Sequence, residues 1–324
     1  MQQDNAEVIT LLKRLAQIAD LRGDTHREKA YRGAILGLQS INWSIKNNPN
    51  RLEEEKIAGV GKAIKNKLLE YVQTGKIDEL VRLENSKDVL AYQELSKIAG
   101  AGPKIVAEWI GKGIYTLADL RQQLAKGKIE LTNVQKYGLT YYHDLNSRIP
   151  RAEVELIGNS VIQKIRELDP GSLCEITGSY RRKLESSGDI DIITSGEYSL
   201  RELNEKYEKD PFYIGHFAVG VERLTFIYKS PTSGIVRQID VLRLPIGQYW
   251  SGILYFTGSW EFNAAMRGYA KSKGFLLNQR GLFRIKGGVE ILIKVTSERQ
   301  IFDTIGIKYV EPQYRIDVSN IIPL

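Results

Sequence analysis

Asp189 and Asp191 stand two residues apart at the end of the run Gly178-Ser179-Tyr180-Arg181-Arg182-Lys183-Leu184-Glu185-Ser186-Ser187-Gly188-Asp189-Ile190-Asp191. In an extended strand, residues two apart point to the same face, so the two carboxylates converge while Ile190 and Ile192 pack behind them. A third carboxylate, Asp240, lies in another strand-like run, Gln238-Ile239-Asp240-Val241-Leu242. Carboxylates suit magnesium, a hard cation that prefers oxygen ligands. Two such ions roughly 3.5–4 Å apart can activate an attacking 3′-hydroxyl and steady a leaving pyrophosphate. Phosphoryl transfer depends chiefly on positioning and charge neutralisation, which Gly178-Ser179 and Arg181-Arg182 can add. An isolated Asp-x-Asp pair can merely end a solvated strand, and the flanking phosphate-type residues argue against that here. The three histidines, His26, His143 and His216, leave little scope for a histidine-based zinc hydrolase.

A second device is repeated. Ile57-Ala58-Gly59-Val60-Gly61-Lys62 has a near copy in Ile98-Ala99-Gly100-Ala101-Gly102-Pro103-Lys104, and each copy leads into an amphipathic stretch. Glycine pairs permit a tight turn and close backbone approach. The helix that follows presents unpaired N–H groups to an anion. Such a turn holds a phosphate without reading a base. For either copy alone, a plain glycine turn between packed helices would serve as well; two copies in one frame favour the phosphate role.

The elements that must position these groups follow from periodicity. From Glu7 to Gln39 the apolar residues recur at helical spacing, and Gly23-Asp24-Thr25 supplies a break and a cap. After Asn146-Ser147-Arg148-Ile149-Pro150 the pattern changes. A helical stretch, Val154 to Leu168, leads to short β-branched runs at Cys174 to Thr177, Ile190 to Thr194, Leu224 to Tyr228 and Ile235 to Leu244. These predict strands of a sheet backed by helices. Pro245-Ile246-Gly247 marks a boundary to a last mixed domain.

Composition agrees with several small cores. The chain has 324 residues, 42% of them hydrophobic, and carries 46 Lys and Arg against 39 Asp and Glu, for a net charge of +7. That excess favours an anionic partner. The single cysteine, Cys174, excludes an internal disulfide framework and a cysteine-cluster zinc site, and fits a reducing compartment as a small buried residue. Charges at Asp4, Glu7, Lys13, Arg14 and Asp20 leave no signal-peptide core, and no apolar run approaches membrane-spanning length. The expectation is a soluble, intracellular protein.

The motifs GSYRR, ESSGDIDI and the later Tyr255-Phe256-Thr257-Gly258-Ser259 closely resemble family X DNA polymerases, polymerase beta in particular, and the match runs in order from Ala30-Tyr31-Arg32 to Glu311-Pro312. The resemblance implies a multidomain α and α+β fold. All-helical helix-hairpin-helix lyase (1–82) and DNA-binding (83–147) domains precede a nucleotidyltransferase palm with a mixed β-sheet (148–245) and a small α+β nucleotide-selection domain (246–324). It implies a gap-filling DNA polymerase of base excision repair, acting as a monomer on gapped or nicked DNA with dNTPs and two Mg2+ ions, Mn2+ being a substitute. By the family pattern Asp189 and Asp191 bind both metals and Asp240 completes the catalytic one. Arg148, Ser179, Arg182, Ser187 and Gly188 resemble the triphosphate contacts. Tyr255, Phe256 and Gly258 resemble the segment under the incoming sugar, and Asn263 and Arg267 the minor-groove readers. Lys67 matches the Schiff-base lysine of a 5′-deoxyribose phosphate lyase, and His26, Arg27 and Tyr31 the 5′-phosphate pocket. The turns at Gly59, Gly61, Lys62 and at Gly100, Gly102, Lys104 resemble DNA-phosphate contacts. Carbonyls near Ile57 and Val60, and near Ser96, Ile98 and Ala101, are implied to hold Na+ or K+. An amine attacks an aldehyde only when unprotonated, and Lys56, Lys62 and Lys65 are expected to lie beside Lys67 and lower its pKa.

Several positions depart from the family pattern. Gln238 and Leu242 stand where arginines usually flank the third aspartate and pair with the carboxylates in the open enzyme. Trp260 replaces a small or acidic residue and is placed to stack on a base, and Ala63 stands where a lysine often assists the lyase pocket. Three alternatives remain. A template-independent terminal transferase needs a long loop where only Lys229 to Gly234 is available. A non-catalytic DNA-structure binder is expected to lose a metal carboxylate. A poly(A)-type nucleotidyltransferase does not account for the front domain.

Overall fold

The computed structural model describes residues 5–324, so Asp4 of the charged leading segment lies outside the described residues. The chain divides into two compact units, 1–139 and 140–324. The first is all-helical: α1 (Ala6–Leu21), α2 (Thr25–Ser40), α3 (Pro49–Glu54), α4 (Lys62–Thr74), α5 (Asp78–Glu84), α6 (Lys87–Leu95), α7 (Pro103–Gly111), α8 (Leu117–Ala125) and α9 (Asn133–Thr140). Val8, Leu12, Leu15 and Ala19 form one stripe of α1 and bury in a cluster with Ala34, Ile35 and Leu38 of α2. Asp24 caps α2 by accepting the Arg27 N–H at 3.0 Å.

The two repeated turns join α3 to α4 and α6 to α7. Gly59 and Gly100 take the left-handed conformation, with φ of +76° and +77°. A Cβ at Gly59 would lie 2.3 Å from the Gly33 carbonyl oxygen, and one at Gly37 would lie 1.9 Å from the Ala58 oxygen. The first turn is therefore seated directly on the backbone of α2. Val60 N–H donates to the Ile57 carbonyl at 3.1 Å and Ala101 N–H to that of Ile98 at 2.9 Å, closing both turns alike.

The second unit begins with α10 (Tyr142–Leu145), β1 (Ile149–Pro150), α11 (Arg151–Leu168), β2 (Leu173–Ile176), α12 (Gly178–Arg181), β3 (Ser186–Ser187), β4 (Ile190–Ser195) and α13 (Leu200–Tyr207). It continues with β5 (Tyr213–Val219), β6 (Arg223–Lys229), β7 (Val236–Arg243), α14 (Tyr249–Thr257), α15 (Trp260–Ser272), β8 (Phe275–Asn278), β9 (Gly281–Lys286), β10 (Val289–Ile293) and α16 (Glu298–Ile305). The main sheet runs in the order β2-β4-β7-β6-β5 and is mixed: β4 and β7 are parallel, and the other pairs antiparallel. Ile190 and Ile192 of β4, Leu224 and Phe226 of β6, and Ile239 and Val241 of β7 bury with Val154, Ile157, Val161 and Ile165 of α11 and Leu203 and Tyr207 of α13. The residues between them must point to the other face, where Ile193 and Leu244 meet Tyr249 and Ile253 of α14. That strand alternation sends Asp191, Asp240 and Thr225 to one face together.

The last part packs α15, α16 and the meander β8-β9-β10 around Phe262, Met266, Phe275, Leu282, Ile301 and Phe302. It is tied to α12 by a buried network: Glu298 accepts from Arg181 at 2.9 Å and from Arg315 at 2.5 Å. On the α11 face of the sheet, Arg237 donates to Glu153 at 2.8 and 3.1 Å and to Ser147 at 2.7 Å. The four expected strand runs lie on β2, β4, β6 and β7, and β5 adds an edge strand. Among the described residues, no helix is long and apolar enough to cross a membrane.

Candidate active site

Asp191 and Asp240 face each other in register on the parallel pair β4 and β7. Asp189, one residue before β4, joins them, and the three carboxylates offer oxygens all within 4.8 Å of one another. Like charges at that spacing repel one another, and the nearby arginines offset that only in part. Burial first, then the charges of Asp189 and Asp240, push Asp191 up to about 7. Asp189 is raised by desolvation and then by the Asp240 charge.

Asp240 is held by four donor atoms from three residues. Arg223 donates to Oδ1 through Nη2 at 2.7 Å and Nε at 3.1 Å, Thr225 Oγ1 to the same oxygen at 2.5 Å, and Gln238 Nε2 to Oδ2 at 2.8 Å. Thr225 sits opposite Asp240 in the β6–β7 register, and Arg223 is two residues earlier on the same face. Sequence reasoning missed both. Strand pairing alone decides which residue of β6 faces Asp240, and no local pattern shows it.

The Gly-Ser turn of α12 lies against this cluster. A Cβ at Gly178 would meet Asp191 Oδ2 at 2.7 Å, so only glycine lets the turn approach the carboxylate. Ser179 Oγ donates to Ser187 Oγ at 2.8 Å. Arg148 donates through Nε to Ser186 Oγ at 3.1 Å, and a Cβ at Gly188 would lie 3.7 Å from its Nη1. Arg182 donates from Nη1 to the Thr257 carbonyl at 2.5 Å, beside Gly258. Burial lowers the Arg182 pKa, against the opposing charges of Glu261 and Asp191. The structure thus gathers Asp189, Asp191, Asp240, Ser179, Ser187, Gly188, Arg148, Arg182 and Gly258 from distant parts of the second unit. Tyr255 and Phe256 pack edge to face with ring centres 5.1 Å apart. Asn263 donates to the Tyr255 carbonyl at 2.6 Å and shares a small cleft with Tyr255 and Arg267. Trp260 opens α15 with 78% of its surface exposed.

In the first unit Lys67 projects from α4 toward α5, where its Nζ meets Glu79 Oε2 at 2.7 Å. Arg27 approaches the other Glu79 oxygen and Asp24, each at 3.4 Å, and Tyr31 is buried nearby. His26 is exposed at the start of α2. The expectation that Lys65 lies beside Lys67 fails. The close partner of Lys67 is a carboxylate, and Lys65 turns away to the Glu53 carbonyl at 3.0 Å. Residues two apart on a helix point about 200° apart, so Lys65 cannot share the face of Lys67. The glycine turns carry Gly59, Gly61 and exposed Lys62 in one copy, and Gly100, Gly102 and exposed Lys104 in the other. Gly61 and Gly102 cap α4 and α7 without side-chain hydrogen bonds.

Four family models match in chain order. Residues 3–77 match the helix-hairpin-helix domain, 93–146 the fingers domain of DNA polymerase lambda, 148–245 the DNA polymerase beta palm and 252–316 the DNA polymerase beta thumb. The chain belongs to the family X DNA polymerases. Among curated relatives, DNA polymerase lambda of Rattus norvegicus is 28% identical over 96% of this chain and 56% of its own length. DNA polymerase lambda of Arabidopsis thaliana is 29% identical over 96% of this chain and 62% of its own. The chain therefore spans little more than half the length of these relatives. Within the family X frame, the departure at Gln238 acquires a structural meaning: the residue still grips Asp240, and Arg223 from β6 provides the guanidinium. Leu242 instead packs on the α14 side of the sheet.

Proposed function

We propose that this family X chain is a template-directed, gap-filling DNA polymerase of base excision repair that also excises 5′-deoxyribose phosphate. The observation that carries the reading is the in-register meeting of Asp191 and Asp240 with Asp189 beside them. An all-oxygen donor set of crowded carboxylates fits divalent, hard cations, whose charge offsets the burial and like-charge repulsion that raise Asp191. Asp189 and Asp191 would hold two Mg2+ ions, or Mn2+ in their place, and Asp240 would complete the one at the primer terminus. Bound there, such ions supply charge neutralisation and an acidified 3′-hydroxyl.

The chain's own residues do the positioning. Ser179, Ser187, Gly188, Arg148 and Arg182 receive the triphosphate of the dNTP. Tyr255, Phe256 and Gly258 pack beneath its sugar, and Asn263 and Arg267 read the minor groove of the new pair. In the first unit, the turns at Gly59, Gly61, Lys62 and Gly100, Gly102, Lys104 hold DNA phosphates, with Na+ or K+ on carbonyls of Ile57, Val60, Ser96, Ile98 and Ala101. His26, Arg27 and Tyr31 take the 5′-phosphate and Lys67 forms the Schiff base. Within this reading the chain works as a monomer in the compartment where DNA is repaired, in four domains: 1–82, 83–147, 148–245 and 246–324.

A terminal transferase is disfavoured by the short β6–β7 connection, where Ser230 N–H closes directly on the Ile235 carbonyl at 2.9 Å. A non-catalytic binder is disfavoured by the intact triad. The test is primer extension on a one-nucleotide gap with and without a 5′-phosphate, against an open template. Higher kcat/KM on the phosphorylated gap is expected, falling steeply with salt as phosphate contacts are lost. Equal efficiency on gapped and open templates contradicts the proposal.

A further inference from the structure

Two residues assigned to the excision pocket, Lys67 and Arg27, reach one carboxylate. Glu79 sets Oε2 at 2.7 Å from Lys67 Nζ, while Arg27 Nη1 approaches its Oε1 at 3.4 Å. The Tyr31 phenol is raised by burial and next by the Glu79 charge. Lys67 and Glu79 keep 17% and 25% of their side-chain surface open, so the pair is sheltered yet reachable from solvent. A surface lysine gains little from an ion pair alone, and a carboxylate at the nucleophile, flanked by a phosphate-type arginine, has a chemical use.

Resting on the assignment of Lys67 as the Schiff-base lysine, we propose that Glu79 is the base that removes the sugar C2′ proton in the elimination step. Lys67 first gives its ammonium proton to solvent, leaving Glu79 ionised; the neutral Nζ adds to C1′ of the ring-opened sugar, and water leaves to give a protonated imine. That cation withdraws electrons and acidifies the C2′–H, one bond from C1′. C1′ is joined directly to Nζ, so the C2′ proton comes within the reach of the carboxylate that touches Nζ. Glu79 Oε2 takes the proton, a C2′=C3′ double bond forms and the C3′–O bond breaks. The oxygen departs with the phosphate of the downstream strand. Water then hydrolyses the imine, restoring the Lys67 amine and releasing the unsaturated sugar phosphate. One water is lost and one consumed, and nothing is oxidised or reduced. Arg27 holds the other Glu79 oxygen, which fixes Oε2 toward the lysine and leaves the guanidinium beside the site for the sugar's 5′-phosphate.

The test uses the full chain on a duplex with an incised abasic site, following product release and, separately, borohydride trapping of the imine. Glu79→Gln keeps the shape but cannot take a proton. It is expected to slow elimination by on the order of 10²-fold, the usual worth of a general base, while trapping persists or increases because the imine accumulates. Glu79→Asp is expected to recover part of the rate. Elimination by Glu79→Gln at the wild-type rate overturns the proposal, and so does loss of trapping together with product, since Glu79 then serves the pocket's structure. Undiminished trapping in Lys67→Ala, or no trapping in the wild type, overturns the Schiff-base assignment itself and the role of Glu79 with it.

Discussion

Arg223→Ala is predicted to tighten divalent-metal binding at the triad. In the structure Asp240 cannot offer Oδ1 to a metal without releasing Arg223, which grips it at 2.7 and 3.1 Å. A sheltered charge-assisted hydrogen bond is worth about 1.5–3 kcal/mol. The Arg223 side chain is 57% exposed, however, and both its bonds fall on a single oxygen rather than forming a two-oxygen fork. Its grip is therefore closer to an exposed ion pair, at most about 1 kcal/mol. Removing it also takes away one positive charge that repels an incoming cation, so both effects have the same sign. The expected gain is roughly five-fold in affinity, as about 1.4 kcal/mol corresponds to ten-fold. Titration of the DNA-free chain with Mn2+, following loss of the free-ion signal by electron paramagnetic resonance, measures it. Unchanged or weaker binding in Arg223→Ala would refute the view that Arg223 competes with metal for Asp240.

Two further predictions concern stability. Glu153→Ala strands Arg237, whose side chain is only 2% exposed, with Ser147 as its remaining partner; the loss should be about 3–5 kcal/mol, seen as a drop in Tm on the order of 10 °C. Arg22 hydrogen-bonds Asp88 and holds its carboxyl down at about 2. A depressed folded pKa stabilises above the unfolded value, about 4, and that stability is lost as pH falls through the folded value. The Tm gap between wild type and Arg22→Ala should thus be constant above about pH 4 and close toward pH 2; a gap that widens in acid contradicts the assignment.

The parts legible in the sequence are those fixed by local period. Asp189 and Asp191 had to share a face, because Ile190 and Ile192 between and after them bury under α11 and α13. Asp240 sits between Ile239 and Val241 for the same reason. The repeated Ile-Ala-Gly-x-Gly frame exposed both turns, since the glycine requirement is written in adjacent residues. What stayed hidden depends on pairing between distant segments. Arg223 reaches Asp240 through strand register, Glu153 reaches Arg237 from α11, and Glu79 reaches Lys67 from the next helix. Lys65 is close to Lys67 in sequence but points away from it on α4, because closeness in sequence is not closeness on a helix face. The edge strand β5 carries Gly215 and shifts register against β6, so it lacks a clean alternation.

Asp240 completes the carboxylate cluster from β7 in the second unit, whereas the turns proposed to hold DNA phosphates belong to the first. The most direct measurement is therefore nucleotide addition by Asp240→Ala on a one-nucleotide gap in Mg2+, paired with its Kd for the same DNA by fluorescence anisotropy. Loss of addition with a nearly unchanged Kd is the predicted result, and substantial magnesium-dependent extension by this variant contradicts the two-metal assignment.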